Sequence, residues 1–196
     1  MAKLYFRYGA MNSGKSTMLL QAAFNYEERD QQPLIVKPGV DTKAGDAITS
    51  RIGASRPVDI LLGADQSLRD TVGAKAPLGS VDAVFIDEAQ FLTPAQVDEA
   101  FVMAVTDGVP VLAYGLRADF MTRAFPGSLR LLEIAHSVEE LKTICRCGSK
   151  AVFNARRVNG EFVSHGNQVA IDGEHAEYES LCGRCYMAKV GPVQHG

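Results

Sequence analysis

The sequence has little of what marks several large protein classes. No stretch of its 196 residues approaches the about 18 uncharged apolar residues that span a bilayer. Lys+Arg number 20 against 23 Asp+Glu, a net charge of −3, with an isoelectric point near 5.8. The basic excess of a dedicated nucleic-acid binder is therefore missing. There is no internal repeat, no low-complexity tract and no long charge run. The opening residues MAKLYFRYG carry Lys3 and Arg7 where a secretory leader would be apolar. A cytoplasmic protein with neither a membrane nor a nucleic-acid partner is expected.

Cysteine is also scarce. Four are present, as two close pairs: Cys145 with Cys147, and Cys182 with Cys185. A reducing compartment keeps thiols free, so such pairs read as metal ligands ahead of disulfides or chance neighbours. What remains is ordinary for a globular chain, 46% hydrophobic and 22% charged, with room for one full domain and a small appendage.

Along the first two thirds, strand and helix patterns alternate. KLYFRY (3–8) is a β-prone run ending on Gly9, and Ser16 to Arg29 carries Leu19, Leu20, Ala23 and Phe24 at helical spacing. Pro33 opens the strand LIVK, and glycine-rich charged loops follow at 39–46. VDAVFID (81–87) is a third strand, Pro94 starts another helix, and VPVLAY (109–114) is a fourth strand. Strands separated by helices imply parallel pairing with crossovers, hence a layered α/β domain over 1–143. Beyond it helical periodicity is lost. Short β-like pieces (AVFNARRV, EYESL) sit between the cysteine pairs, giving a small unit over 144–190 that needs a metal staple. Residues 191–196 read as a disordered tail.

Gly9 to Ser16 reads GAMNSGKS and matches G-x-x-x-x-G-K-[ST] between a strand and a helix. Gly9 and Gly14 let backbone N–H groups turn inward around phosphate oxygens, and the helix end adds its dipole. Lys15 supplies a point charge for the β- and γ-phosphates, and Ser16 a hydroxyl for Mg²⁺. A nucleoside triphosphate is the implied ligand. The run VFIDEAQF (84–91) ends in adjacent acids. Asp87 can hold the Mg²⁺ water shell, while Glu88, on the opposite face by strand alternation, suits a general base for an attacking hydroxyl or water. Alone, the two acids could equally be a solvated strand end.

In sum these residues resemble the cytosolic, zinc-containing thymidine kinases of bacteria and animals. The likeness runs through Gly9–Thr17, then IVKPGVD with Asp41 and Lys43, then SRIG (50–53) and DEAQF (87–91). It continues through YGLRADF (114–120), AVFNARR (151–157) and IDGEHAEYESLCGRCY (171–186). It implies a P-loop NTPase (RecA-like) parallel-sheet domain with a small C-terminal zinc-binding β domain. It also implies transfer of the ATP γ-phosphate to the 5′-hydroxyl of thymidine, with Glu88 as base. ATP would contact Gly9, Ala10, Met11, Asn12, Ser13, Gly14, Lys15, Ser16 and Thr17, with Mg²⁺ at Ser16 and Asp87. The nucleoside would meet Met11, Gln90, Leu116, Phe120, Phe125, Asn154 and Tyr178. A structural Zn²⁺ would sit on Cys145, Cys147, Cys182 and Cys185, and four chains would form a homotetramer.

Some residues admit a plainer reading. Phe120 and Phe125 could be core aromatics, and Arg117, Asp119 and Arg123 read as a solvated face. Asp172 stands where the family has glycine, and the one-residue gap between Cys145 and Cys147 is shorter than usual knuckle spacing. His165 and His175 would be stand-in ligands. A nucleic-acid-stimulated ATPase shares the phosphate loop and the acid pair, and an ATP-sensing module without chemistry is a third possibility.

Overall fold

The computed structural model describes residues 1–39, 47–168 and 176–193. Asp41, Lys43, Asp172, His175 and the last three residues lie outside the described residues. In chain order the α/β portion comprises β1 (Leu4–Tyr8), α1 (Lys15–Glu27), β2 (Pro33–Pro38), β3 (Ala47–Thr49), β4 (Ser55–Pro57) and β5 (Ile60–Leu62). It continues with α2 (Leu68–Lys75), β6 (Ala83–Ile86), α3 (Pro94–Val105), β7 (Val111–Gly115), α4 (Pro126–Ile134) and β8 (Ser137–Glu140). The rest contributes β9 (Thr143–Ile144), β10 (Lys150–Ala151), β11 (Phe153–Val158), β12 (Glu161–Val163), β13 (Ala176–Leu181) and α5 (Gly183–Lys189).

Six strands form one sheet in the order β5-β2-β6-β7-β1-β8, and every pairing is parallel. Strand alternation assigns its two faces. Leu4 and Phe6, Leu34 and Val36, Val84 and Ile86, and Val111 and Ala113 join one core with Leu68 and Val72 of α2, Val97 and Met103 of α3, and Leu131 of α4. Ile35, Phe85, Leu112 and Tyr114 face the other way, onto Leu19 and Ala23 of α1. Phe24, on the same helix, is 52% exposed, so the apolar stripe is narrower than its spacing suggests. Helix α3 begins as its sequence dictates. Thr93 accepts from the Gln96 N–H, the Gln96 side chain returns to the Thr93 N–H, and Pro94 fills the first turn.

The remaining elements are antiparallel. β12-β11-β13 form a three-stranded sheet and β9-β10 a hairpin, over a small core of Cys145, Ala151, Ala155, Leu181, Cys182 and Tyr186. Helix α5 corrects the expectation that helix is absent beyond 143. It is two turns long, below the length at which apolar periodicity becomes readable. No helix among the described residues is long and apolar enough to cross a membrane.

Candidate active site

The loop between β1 and α1 is shaped for an anion. Gly14 sits at φ 81° and Asn12 at φ 66°, both left-handed, and glycine takes that conformation without cost. A methyl group on Gly9 would lie 2.6 Å from the Leu141 carbonyl, so the strand end admits no side chain. The first helical bond of α1 runs from the Met18 N–H to the Gly14 carbonyl. The amides of Lys15, Ser16 and Thr17 precede it, and neither a capping side chain nor an acid occupies that first turn. A helix start with free donors and no competing carboxylate is an anion site. The Lys15 ammonium donates to the carbonyls of Gly9 (3.4 Å) and Ala10 (3.0 Å). Burial pushes its pKa down, the charges of Glu88 and Asp87 oppose this, and Arg51 reinforces it.

Not every loop residue is available to a phosphate. The Met11 N–H already donates to Asn154 Oδ1 (2.8 Å), and Ser180 Oγ donates to the Met11 carbonyl. The Ser13 N–H turns back to the Ala10 carbonyl (3.3 Å). The amides of Met11 and Ser13 are therefore spent, while those at the helix start remain available.

Across from the loop, β6 ends at Ile86, one residue before the acid pair. Asp87 is 5% exposed, its N–H bonded to the Val36 carbonyl at 3.0 Å. Burial, then the charge of Glu88, pushes its pKa up to about 7, against the pull of a backbone bond from Glu88 and the charges of Lys37 and Lys15. Glu88 adopts φ 50°, ψ 40°, a left-handed conformation that costs a side-chain-bearing residue about 1–3 kcal/mol. The acids thus diverge because the chain turns, and strand alternation is not the cause.

Gln90 lies behind Glu88, 2% exposed. Its Nε2 donates to Glu88 Oε2, and its Oε1 accepts the Leu116 N–H at 3.0 Å. One buried amide thereby fixes the carboxylate and the chain leaving β7. Gly115 has no room for a side chain, since a methyl there would lie 2.8 Å from Gln90 Oε1.

Met11, Asn12, Gly14 to Thr17, Glu88 and Leu116 line a cleft of about 380 Å³, together with Thr49 at the end of β3 and Ser50 to Ile52 of the β3–β4 turn. Arg51 is the residue that sequence reasoning passed over. SRIG was recognisable, but only the fold brings its arginine to the lysine of the phosphate loop. The four cysteines also converge, their sulfur atoms all within 4.8 Å of one another, and Cys147 and Cys182 3.6 Å apart. Tetrahedral zinc with Zn–S near 2.3 Å requires sulfurs about 3.8 Å apart, so the donor set fits structural zinc. The short Cys145–Cys147 spacing works because Gly148, at φ 87°, closes the turn with its N–H on the Cys145 carbonyl. His165 is exposed, with a hydrogen bond to Ser164, and among the described residues it stands outside the cysteine cluster.

The thymidine kinase family model matches residues 2–186. The chain belongs to that family. It is 45% identical to the thymidine kinase of Ruegeria pomeroyi, covering 97% of this chain and 96% of the relative. Identity to the thymidine kinase of Idiomarina loihiensis is 44%, over 97% and 99%. A solved Pif1 helicase from Candida albicans aligns at TM-score 0.41 and 13% identity over 74% of this chain and 37% of its own, a likeness too loose to carry any argument.

Of the residues that family membership points to for the nucleoside, only Met11 and Leu116 line the main cleft. Phe120 is 1% exposed, beneath the Arg156 guanidinium at 3.9 Å, and Phe125 is 4% exposed, edge-on to Phe91. Tyr178 borders a neighbouring hollow of about 200 Å³ that shares Asn12. Asn154 spends its amide within the protein, on Met11 and, through Nδ2, on the Ala118 carbonyl (3.0 Å). The residues 169–175 that lead into Tyr178 lie outside those described. Asp119 corrects the solvated-face expectation. It is 4% exposed and its Oδ1 organises a turn, accepting from the N–H groups of Met121 (2.8 Å) and Arg123 (2.9 Å).

Proposed function

We propose that this thymidine kinase transfers the γ-phosphoryl group of ATP to the 5′-hydroxyl of thymidine. The observation that carries the reading is Glu88, held in a left-handed turn in the same cleft as the phosphate-loop lysine. Strain kept at a carboxylate beside an anion site marks a group whose direction matters. Glu88 would take the proton of the hydroxyl as it attacks, and Gln90 would hold the carboxylate for that approach. Lys15, the amides of Lys15 to Thr17 and Arg51 would hold and neutralise the phosphates. Met11 and Leu116 would give the thymine ring an apolar wall, backed from within the protein by Phe120, Phe125 and Asn154, with Tyr178 at the adjoining hollow.

Hard oxygen donors at Ser16 and Asp87 suit Mg²⁺, and the buried Asp87 carboxylate favours a nearby cation. When bound, the ion would neutralise charge on the phosphates. Structural zinc would hold residues 144–190 as a domain separate from the α/β domain of residues 1–143. Family resemblance supports a cytoplasmic homotetramer, which light scattering on the purified protein would test.

The deciding assay supplies γ-labelled ATP and Mg²⁺ with thymidine or single-stranded DNA in parallel. Label on thymidine monophosphate is expected. Free phosphate released in the DNA tube alone would overturn the reading in favour of a DNA-stimulated ATPase.

A further inference from the structure

The middle of the phosphate loop is held by strands that lie outside the six-stranded parallel sheet. Among the described residues, the hydrogen bonds to the main chain of Met11 and Asn12 come from β9, β11 and β13. Asn154 Oδ1 takes the Met11 N–H, Ser180 Oγ donates to the Met11 carbonyl, and Thr143 Oγ1 reaches the Asn12 carbonyl at 3.4 Å. Asn154 and Ser180 are directly opposed in the β11–β13 register, so both side chains project from one face of that sheet. Both are buried, at 5% and 8% exposure. Together they fix both polar groups of the residue that precedes the left-handed Asn12.

We propose that Asn154 and Ser180 are positioning residues for ATP: they clamp Met11 so that the phosphate loop is already in its phosphate-receiving shape. Ser180 lies two residues after Tyr178 and two before the zinc-cluster residue Cys182 on one strand and its continuation. The metal-binding unit therefore acts on the donor nucleotide site as well as on the acceptor side to which the family resemblance assigns it. Losing the Ser180 hydroxyl leaves the Met11 carbonyl without its partner and lets the loop sample other conformations. Removing one hydrogen bond of this kind weakens a dependent equilibrium by roughly tenfold.

The inference rests on the loop being an ATP site, so the test reads ATP binding first, without thymidine, by titrating the full chain with ATP and Mg²⁺. Binding too weak to measure in wild type would sink the ATP reading itself; a change confined to the variants bears on the clamp. For Ser180→Ala, ATP affinity and the KM for ATP are expected to weaken about tenfold. The thymidine KM should stay within about twofold, and zinc content should equal wild type. Hydrogen exchange of the peptide over 9–16 should accelerate, and Ser180→Thr, which restores a hydroxyl, should recover ATP affinity. ATP affinity unchanged in Ser180→Ala, or a shift in the thymidine KM alone, overturns the clamp. Should the alanine variant fail to fold, Ser180→Cys keeps the shape with a far weaker donor and is read by the same outcomes.

Discussion

Replacing Glu88 with glutamine isolates proton acceptance from everything else that side chain does. Glutamine has the same length, and its amide oxygen can still accept the bond from Gln90 Nε2 that holds the carboxylate in place. The left-handed turn at φ 50° is unchanged in cost, because both residues carry a Cβ. Losing the charge also relieves the repulsion that helps push Asp87 up, so the metal-side carboxylate is no worse off. What disappears is a base. A positioned general base contributes about 10²–10⁴ in rate, which corresponds to about 3–5 kcal/mol in the barrier. Glu88→Gln should therefore lower kcat by two to four orders of magnitude while ATP affinity stays within about twofold. Single-turnover transfer of labelled phosphate to thymidine measures the first quantity, and ATP titration the second. A kcat within tenfold of wild type would remove Glu88 from the role, and a parallel collapse of ATP binding would relocate the defect to the loop.

Gln90→Leu keeps the buried volume but leaves the Leu116 N–H unpaired, a cost of about 1–3 kcal/mol. It also frees Glu88, so melting temperature and kcat should fall together; a loss of stability with unchanged kcat would show that Gln90 does not aim the carboxylate. Met103→Ala opens a void in a fully buried helix face and should cost about 2–5 kcal/mol by denaturant unfolding, with KM values unaffected. Chelating the metal should release about one zinc per chain and loosen the β9–β13 unit ahead of the parallel sheet. Thiols of the native protein that all react freely before chelation would argue that the cysteine cluster holds no ion.

Much of the sheet was legible because its strands are buried on both faces and read as apolar runs. LIVK, VDAVFID and VPVLAY each fall on a central strand, α1 follows from apolar spacing and α3 from Pro94 at its start. The elements that escaped have weaker local signals. β8 is SVEE, an exposed edge strand without an apolar face. β5 has three residues, and α2 spans eight with Gly73 inside it, so tertiary packing of Leu68 and Val72 decides what the local sequence leaves open.

The site divides along the same physical line. A phosphate loop is contiguous, since its eight residues contain the turn glycine, the lysine and the hydroxyl that the anion needs. Contacts that discipline it are not contiguous: Asn154 and Ser180 reach Met11 across 143 and 169 residues of chain. A motif can announce that donors exist. It says nothing of which are already spent, and here the Met11 amide is spent on the C-terminal sheet. Glu88 illustrates the other limit. Its residue type was readable, but strand alternation gave the wrong reason for its direction, because β6 stops at Ile86, one residue short of the strand expected over 81–87. A left-handed residue there, held by a buried glutamine two positions on, turns the carboxylate. It also makes the site dependent on Gln90 in a way that an alternating strand would not.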